Sequence, residues 1–217
     1  MNAPTVPAYK LNPELAREGD NQGSQRITEN GGYPGVFTKA KHLVAGTGAV
    51  GIEFGFEAVD GSTAYFQLYT KNKDGDAIFG EKQLMALMTC LKIKSMAPQQ
   101  AMIEEYDFNS KQVQKVKATV YPELMNKPIG IVFQKEHYIK NNGDNGERML
   151  FFAAFDTQTK QTANEILDQK PAERLEKLLA NLKDKNSPPV TGRTTPANTA
   201  ATQNQVINND FDDEIPF

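Results

Sequence analysis

A mainly β protein is predicted: a five-stranded Greek-key barrel with an inserted segment, one or two helices and a disordered acidic tail. Three observations predict it. Six stretches, five for the barrel and one in the insertion, alternate apolar and polar residues with the period of two expected of half-buried strands. After the third of them the apolar spacing switches to that of a helix. From Lys185 onward the composition falls to Pro, Thr, Asn, Ala and Gln, which leaves little to bury.

The elements follow in order. Residues 1–26 are polar and irregular and read as a flexible arm. Asn30-Gly31-Gly32 is a turn, after which residues 33–44 read as a first strand and 50–59 as a second, with Ile52, Phe54, Phe56 and Ala58 on one face. Asp60-Gly61 is a hairpin turn. A third strand, 63–71, carries Ala64, Phe66 and Leu68 on one face and Tyr65, Gln67, Tyr69 and Lys71 on the other. Gly80 to Ile93 has Leu84, Leu87, Met88 and Leu91 at helical spacing. Residues 111–121 read as a strand within an insertion spanning about 95–127. Two more strands, 129–139 and 147–155, are joined across a turn of Asn and Gly. Phe133, Phe151 and Phe155 are assigned to the core. Thr162 and Glu165 have capping-box spacing, and Pro171 opens a helix whose Leu175, Leu178, Leu179 and Leu182 form a stripe that packs on the barrel. Three strands, a helix and two strands is the order of an OB-fold, a small barrel that binds oligonucleotides and oligosaccharides.

Composition narrows the chemistry. No apolar run approaches the length of a membrane span, and no basic-then-apolar leader opens the sequence. A single Cys90 excludes an internal disulfide and suits a reducing cytoplasm. With His42 and His137 far apart, Cys and His cannot assemble a zinc cluster. The net charge of −3 is unevenly distributed. Setting aside Asp210, Asp212, Asp213 and Glu214 leaves 23 acids against 24 bases, and residues 111–140 alone carry six lysines against Glu123 and Glu136. A basic centre and an acidic end are what partner-binding chains often show.

Gly46-Thr47-Gly48-Ala49-Val50-Gly51 has dinucleotide-fingerprint spacing, but strand alternation continues through Ile52, Phe54 and Phe56 where a helix would have to open. Asp74-Gly75-Asp76 lacks the remaining ligands of a calcium loop. Glu104, Glu105 and Asp107 read as a solvated loop, with a metal-dependent nuclease as the third-ranked reading of the chain. No nucleophile motif is present. The expectation is a protein without catalytic residues, cofactor or metal.

Single strands are held by lysines that follow phosphates and aromatics on which bases stack. Candidates for that role are Phe37, Lys39 and Lys41 on the first strand and Tyr65, Tyr69 and Lys71 on the third. Lys111, Lys115 and Lys117 follow in the insertion, and Tyr138 and Lys140 near the end of the fourth barrel strand. The last residues, Asp210, Phe211, Asp212, Asp213, Glu214, Ile215, Pro216 and Phe217, form an acidic peptide with an apolar end suited to docking in a basic-rimmed pocket.

That peptide resembles the C-terminal tip of bacterial single-stranded DNA-binding proteins. It departs at Asn209, where Met is usual, and at Glu214, where Asp is, and the second change keeps the charge. Residues from about 27 to 168 resemble phage-encoded single-stranded DNA-binding proteins. The passages that carry this are Gly80-Glu81-Lys82-Gln83-Leu84, the run from Tyr121 to Gly130, and Asn164-Glu165-Ile166-Leu167. The resemblance implies an OB-fold, sequence-independent binding of single-stranded DNA in replication and recombination, and location in the cytoplasm of a bacterial host. It also implies that the tip recruits host or phage replication and repair proteins. The organisation expected is an arm (1–26), a DNA-binding domain (27–184), a linker (185–209) and a docking tip (210–217). The alternative reading is an adaptor whose OB domain binds protein.

A polar linker of 25 residues has an r.m.s. span of about 25–30 Å, enough for the acidic tip to reach a basic face and compete with DNA. Deleting residues 208–217 is expected to tighten oligo-dT binding at low salt, with the gain shrinking as salt rises. Fluorescence anisotropy at several salt concentrations measures this, and weaker binding after deletion rules out competition.

Overall fold

The computed structural model describes residues 10–13, 25–107, 110–140 and 142–187. Among the described residues eight strands form one sheet, antiparallel apart from a two-residue parallel pairing at its edge, and three helices of five residues or more accompany it. The strands are β1 (Gly31–Val44), β2 (Val50–Ala58), β3 (Thr63–Lys71), β4 (Gln99–Asp107), β5 (Gln112–Val120), β6 (Ile129–Ile139), β7 (Asn145–Phe155) and β8 (Lys185–Asn186). The helices are α1 (Phe79–Cys90), α2 (Ala163–Leu167) and α3 (Arg174–Asn181), and a 3-10 turn spans Pro122–Leu124. Among the described residues no helix is long and apolar enough to cross a membrane.

β1 organises the sheet. It pairs with β2 along one edge from Gly35 to Val44, while its other edge pairs with β6 at Gly31–Gly35 and with β5 at Lys41. β3 continues beyond β2, and β7 beyond β6. No ladder joins β3 to β7 among the described residues, so the sheet is open there. Side chains nevertheless meet across that seam, where Phe66 of β3 stacks on Phe151 of β7 with ring centroids 5.5 Å apart.

The core grows from the alternation. Phe37, Phe54, Phe56 and Phe133 are all but fully buried. Phe37 lies 4.7 Å from Phe54, and Phe54 stacks on Phe66 at 4.9 Å. Phe133 joins edge-on to Phe56 and Phe66. Each ring removed from water contributes about 1.5–3 kcal/mol. The α1 face of Leu84, Leu87 and Met88 completes this cluster. A second, smaller cluster lies on the other face of β6, where Val132 and Phe155 receive Leu175 of α3, with Leu182 packed beside them. Of the leucine stripe, Leu175 and Leu182 thus pack on the sheet as expected, while Leu179 stays exposed.

One carboxylate ties α2 to α3. Thr162 and Glu165 form the capping box of α2, and the same buried Glu165 accepts the backbone N–H groups of Glu173 and Arg174 at 2.8 and 2.7 Å, at the start of α3. Burial pushes the Glu165 pKa up, but the N–H groups of Thr162, Glu173 and Arg174 and the Thr162 hydroxyl outweigh it and hold it at about 2.

The structure corrects the sequence reading at three places. Glu104, Glu105 and Asp107 lie in strand β4, not in a loop, and the insertion is a two-stranded ribbon, β4 with β5. The segment read as linker from residue 185 begins inside the folded body, because Lys185–Asn186 pair with Glu136 and His137 as β8. That β8 edge is anchored by Glu136, fully buried and paired with Arg148 and Lys185 at 2.6 and 2.8 Å. Lys111, read as a strand residue, lies in the ribbon's turn with φ +53°.

Two measurements test these supports. A Cβ on Gly35 would lie 2.1 Å from the Glu57 carbonyl oxygen and 2.8 Å from Ala58 Cα, backbone atoms that cannot rotate away. Gly35→Ala is therefore expected to cost about 1–3 kcal/mol of unfolding free energy or more, read as a lowered urea midpoint. Glu165 has a folded pKa below its ordinary value of 4.5, so its contribution is complete above that value and is lost as pH falls through it toward about 2. In urea melts, Glu165→Gln is expected to be less stable than the parent near neutrality, with the gap closing across that acid range.

Candidate nucleic-acid interface

The face of β1–β2–β3 turned away from the core is set by register. Lys39, Gly55 and Tyr65 lie in one row across the three strands, and Lys41, Glu53 and Gln67 in the next. Leu43, Gly51 and Tyr69 make a third row. Tyr65 is the exposed aromatic of this face, with 57% of its surface accessible. Its ring edge leans over Gly55 from one side and Lys39 from the other. A Cβ at Gly55 would lie 3.3 Å from Tyr65 Cε1 and 3.2 Å from Lys39 Cβ. Lys39 Nζ sits 5.8 Å from the centre of the Tyr65 ring, within the range of a cation–π contact. The absence of a side chain at Gly55 is what lets the two groups approach.

The charge of the face is balanced. Lys39 pairs with Glu53 of β2 and lies 3.7 Å from Glu105 of β4, and Lys41 pairs with Glu105 as well. All four side chains are partly shielded from water, with 19–27% exposure. Beyond this network lies Lys71, exposed at the end of β3. Lys73 packs its Cβ 3.3 Å from where a Cβ on Gly48 would stand, which places it beside the β1–β2 loop. That loop turns tightly at Gly48 with φ +88°, and β2 follows directly, so the glycines 46, 48 and 51 serve a hairpin.

Several predicted site residues sit elsewhere. Phe37 belongs to the core, at 0% exposure. A bulge between Phe37 and Lys39 shifts the register, so two residues of the same parity face opposite sides of β1. Tyr69 is on the outward face but buried, its hydroxyl donating to Gln67 at 3.1 Å. Burial, with the Glu53 charge adding, pushes its pKa up to about 12. Lys115 and Lys117 lie on the ribbon face shared with Met102, Glu104, Tyr106 and Val113, opposite the one that carries Glu105. Lys111 projects at the ribbon's turn. Tyr138 is half-buried on β6, its ring against Gly146 and under the Arg148 guanidinium at 5.1 Å, and Lys140 follows in the β6–β7 turn. The structure thus gathers Lys39, Lys41 and Tyr65 into one patch and disperses the others, Lys71 among them, because a register shift between Val50 and Gly51 pairs Lys71 with Val50 and turns it off the row of Gly51 and Tyr69. The tip, 210–217, lies outside the described residues.

Sequence reasoning missed Glu53 and Glu105 as members of this face. Glu53 was legible, since its parity opposes Ile52 and Phe54. Glu105 was not, because only the fold of the ribbon brings it to Lys41. Comparison with known proteins finds no matching family model and no matching curated sequence.

Proposed function

We propose that the protein binds single-stranded DNA without sequence preference on the outward face of β1–β2–β3, in replication or recombination of a phage in a bacterial cytoplasm. The observation that carries this is the half-exposed Tyr65 ring braced by Lys39 over Gly55. A base stacks on such a ring whatever its identity, while neighbouring cations meet phosphate. The strand order β3-β2-β1-β6-β7, with α1 following β3 in the chain and preceding β6, supports reading the body as an OB-fold left unlaced between β3 and β7. The C-terminal tip would recruit replication and repair proteins through its acids and Phe217. The reading includes no catalysis and no cofactor.

The neutralised lysines favour a second reading, in which the same body is an adaptor that binds protein. Titrating fluorescent oligo-dT with and without magnesium separates the readings. A DNA binder saturates in both conditions, an adaptor gives no signal in either, and cleavage in magnesium indicates a nuclease.

For a DNA binder, Tyr65→Ala is expected to weaken binding by about 1–3 kcal/mol while leaving the urea midpoint nearly unchanged. The plot of log K against log salt should fall by about 0.7 for each phosphate neutralised, hence by about 1.5 to 3 in total for two to four lysine contacts. An unaltered affinity for Tyr65→Ala would move the binding face away from β3.

A further inference from the structure

We infer that the β4–β5 ribbon is a strap latched over the DNA-binding face, and that Glu105 occupies there the position a strand phosphate takes on binding. This rests on the proposed single-stranded DNA reading and concerns how that same face is controlled.

The ribbon is joined to the body at its root. β5 pairs with β1 at a single register position, Lys41 with Val120, reinforced by the Tyr121 N–H to the Ala40 carbonyl at 2.9 Å. Glu105 stands opposite Gln114, six residues further along β5, about 20 Å away in extended chain. That exceeds what Lys and Glu side chains span together, so a straight ribbon would carry Glu105 far beyond Lys41. Its contact with Lys41, and its 3.7 Å approach to Lys39, require the ribbon to bend back over the outward face. Val120, Ala118, Val116 and Gln114 share the face that carries Glu105, and of these Val116 and Ala118 are only half-buried.

A carboxylate paired with two lysines is the electrostatic equivalent of a bound phosphate. A phosphodiester offers the same single negative charge and comparable acceptors, so Glu105 and the strand compete for the same cations. A long polyanion supplies many phosphates and gains entropy from the counterions it releases, whereas the intramolecular pair still meets water, with 22% and 27% of the two side chains exposed, and contributes little net. Exchange of Glu105 for phosphate is therefore downhill at low salt and frees the ribbon from the face.

The experiment compares the full-length parent with Glu105→Gln, and with Glu105→Ser as a second release variant, in oligo-dT titrations across salt. Release of the latch predicts roughly three- to tenfold tighter binding at low salt. The salt slope should also steepen by about 0.7 for each lysine set free. The gain should vanish on a Lys41→Met background, because the competitor acts through that lysine. Binding unchanged or weakened by both release variants overturns the latch and makes Glu105 a group that merely positions Lys39 and Lys41. If the parent and both variants all fail to bind, the DNA reading itself falls and the latch with it. If only the release variants bind, both stand and the latch is strong.

Discussion

Fourteen residues of β1 meet β2 along one edge and divide the other between β6 at the start and β5 near the end. A flat strand cannot pair with two partners on one edge when those partners leave in different directions. The bulge between Phe37 and Lys39 and the glycine at position 35 supply the bend. The bulge also keeps Phe37 in the aromatic core and places Lys39 and Lys41 outside it. The core and the candidate face are thus set by one irregularity in one strand, and a change that straightened β1 would damage both.

The electrostatics of the face follow from that placement. At about 4 Å, opposite charges near a protein surface interact by roughly 4 kcal/mol before the cost of desolvation, and by far less net. Lys39 and Lys41 are held between strands that also carry Glu53 and Glu105, so the face presents little net field to an approaching strand. Recognition of a single strand there, as proposed, would depend on contact: stacking on Tyr65, and exchange of one anion for another. A protein built this way would associate without strong steering and would be sensitive to salt mainly after contact.

Much of the fold was legible in the sequence because the core alternates cleanly. Phe54 and Phe56 in β2 and Phe66 and Leu68 in β3 all point where period two puts them, and the capping box at Thr162 and Glu165 forms as read. Three features escaped for physical reasons. β4 alternates only between exposed and half-buried residues, so Gln, Glu and Met replace the apolar beat that marks a strand. The β1 bulge breaks parity, which no counting of alternate residues detects. Tyr69 has the parity of an outward residue and is buried by its surroundings, which are not encoded at spacings of two. The candidate face was therefore half legible. Tyr65, Lys39 and Lys41 were found from the residues, while the acids that answer them depend on how the ribbon folds.

The far end of the body poses a related electrostatic problem with a different solution. Glu136 is fully buried, and burial alone would push its pKa up, yet Lys185, Ser187 and Arg148 together hold it below the ordinary carboxylate range. Removing one partner from a buried charge costs more than the pair contributes, about 3–5 kcal/mol, because the remaining ion is left uncompensated. Two of the three partners lie at the very end of the described chain, at Lys185 and Ser187. Asp184, just before them, bonds His137 Nε2 at 2.8 Å and accepts from Asn30 at 2.5 Å. The described chain therefore ends at a fixed point on β6, set by a buried carboxylate that keeps its cations. The outward face differs in that its carboxylates, Glu53 and Glu105, keep 22% and 27% of their side-chain surface in water. Burial separates the two cases: where water is excluded the ion pair is structural, and where water reaches it the pair is open to competition.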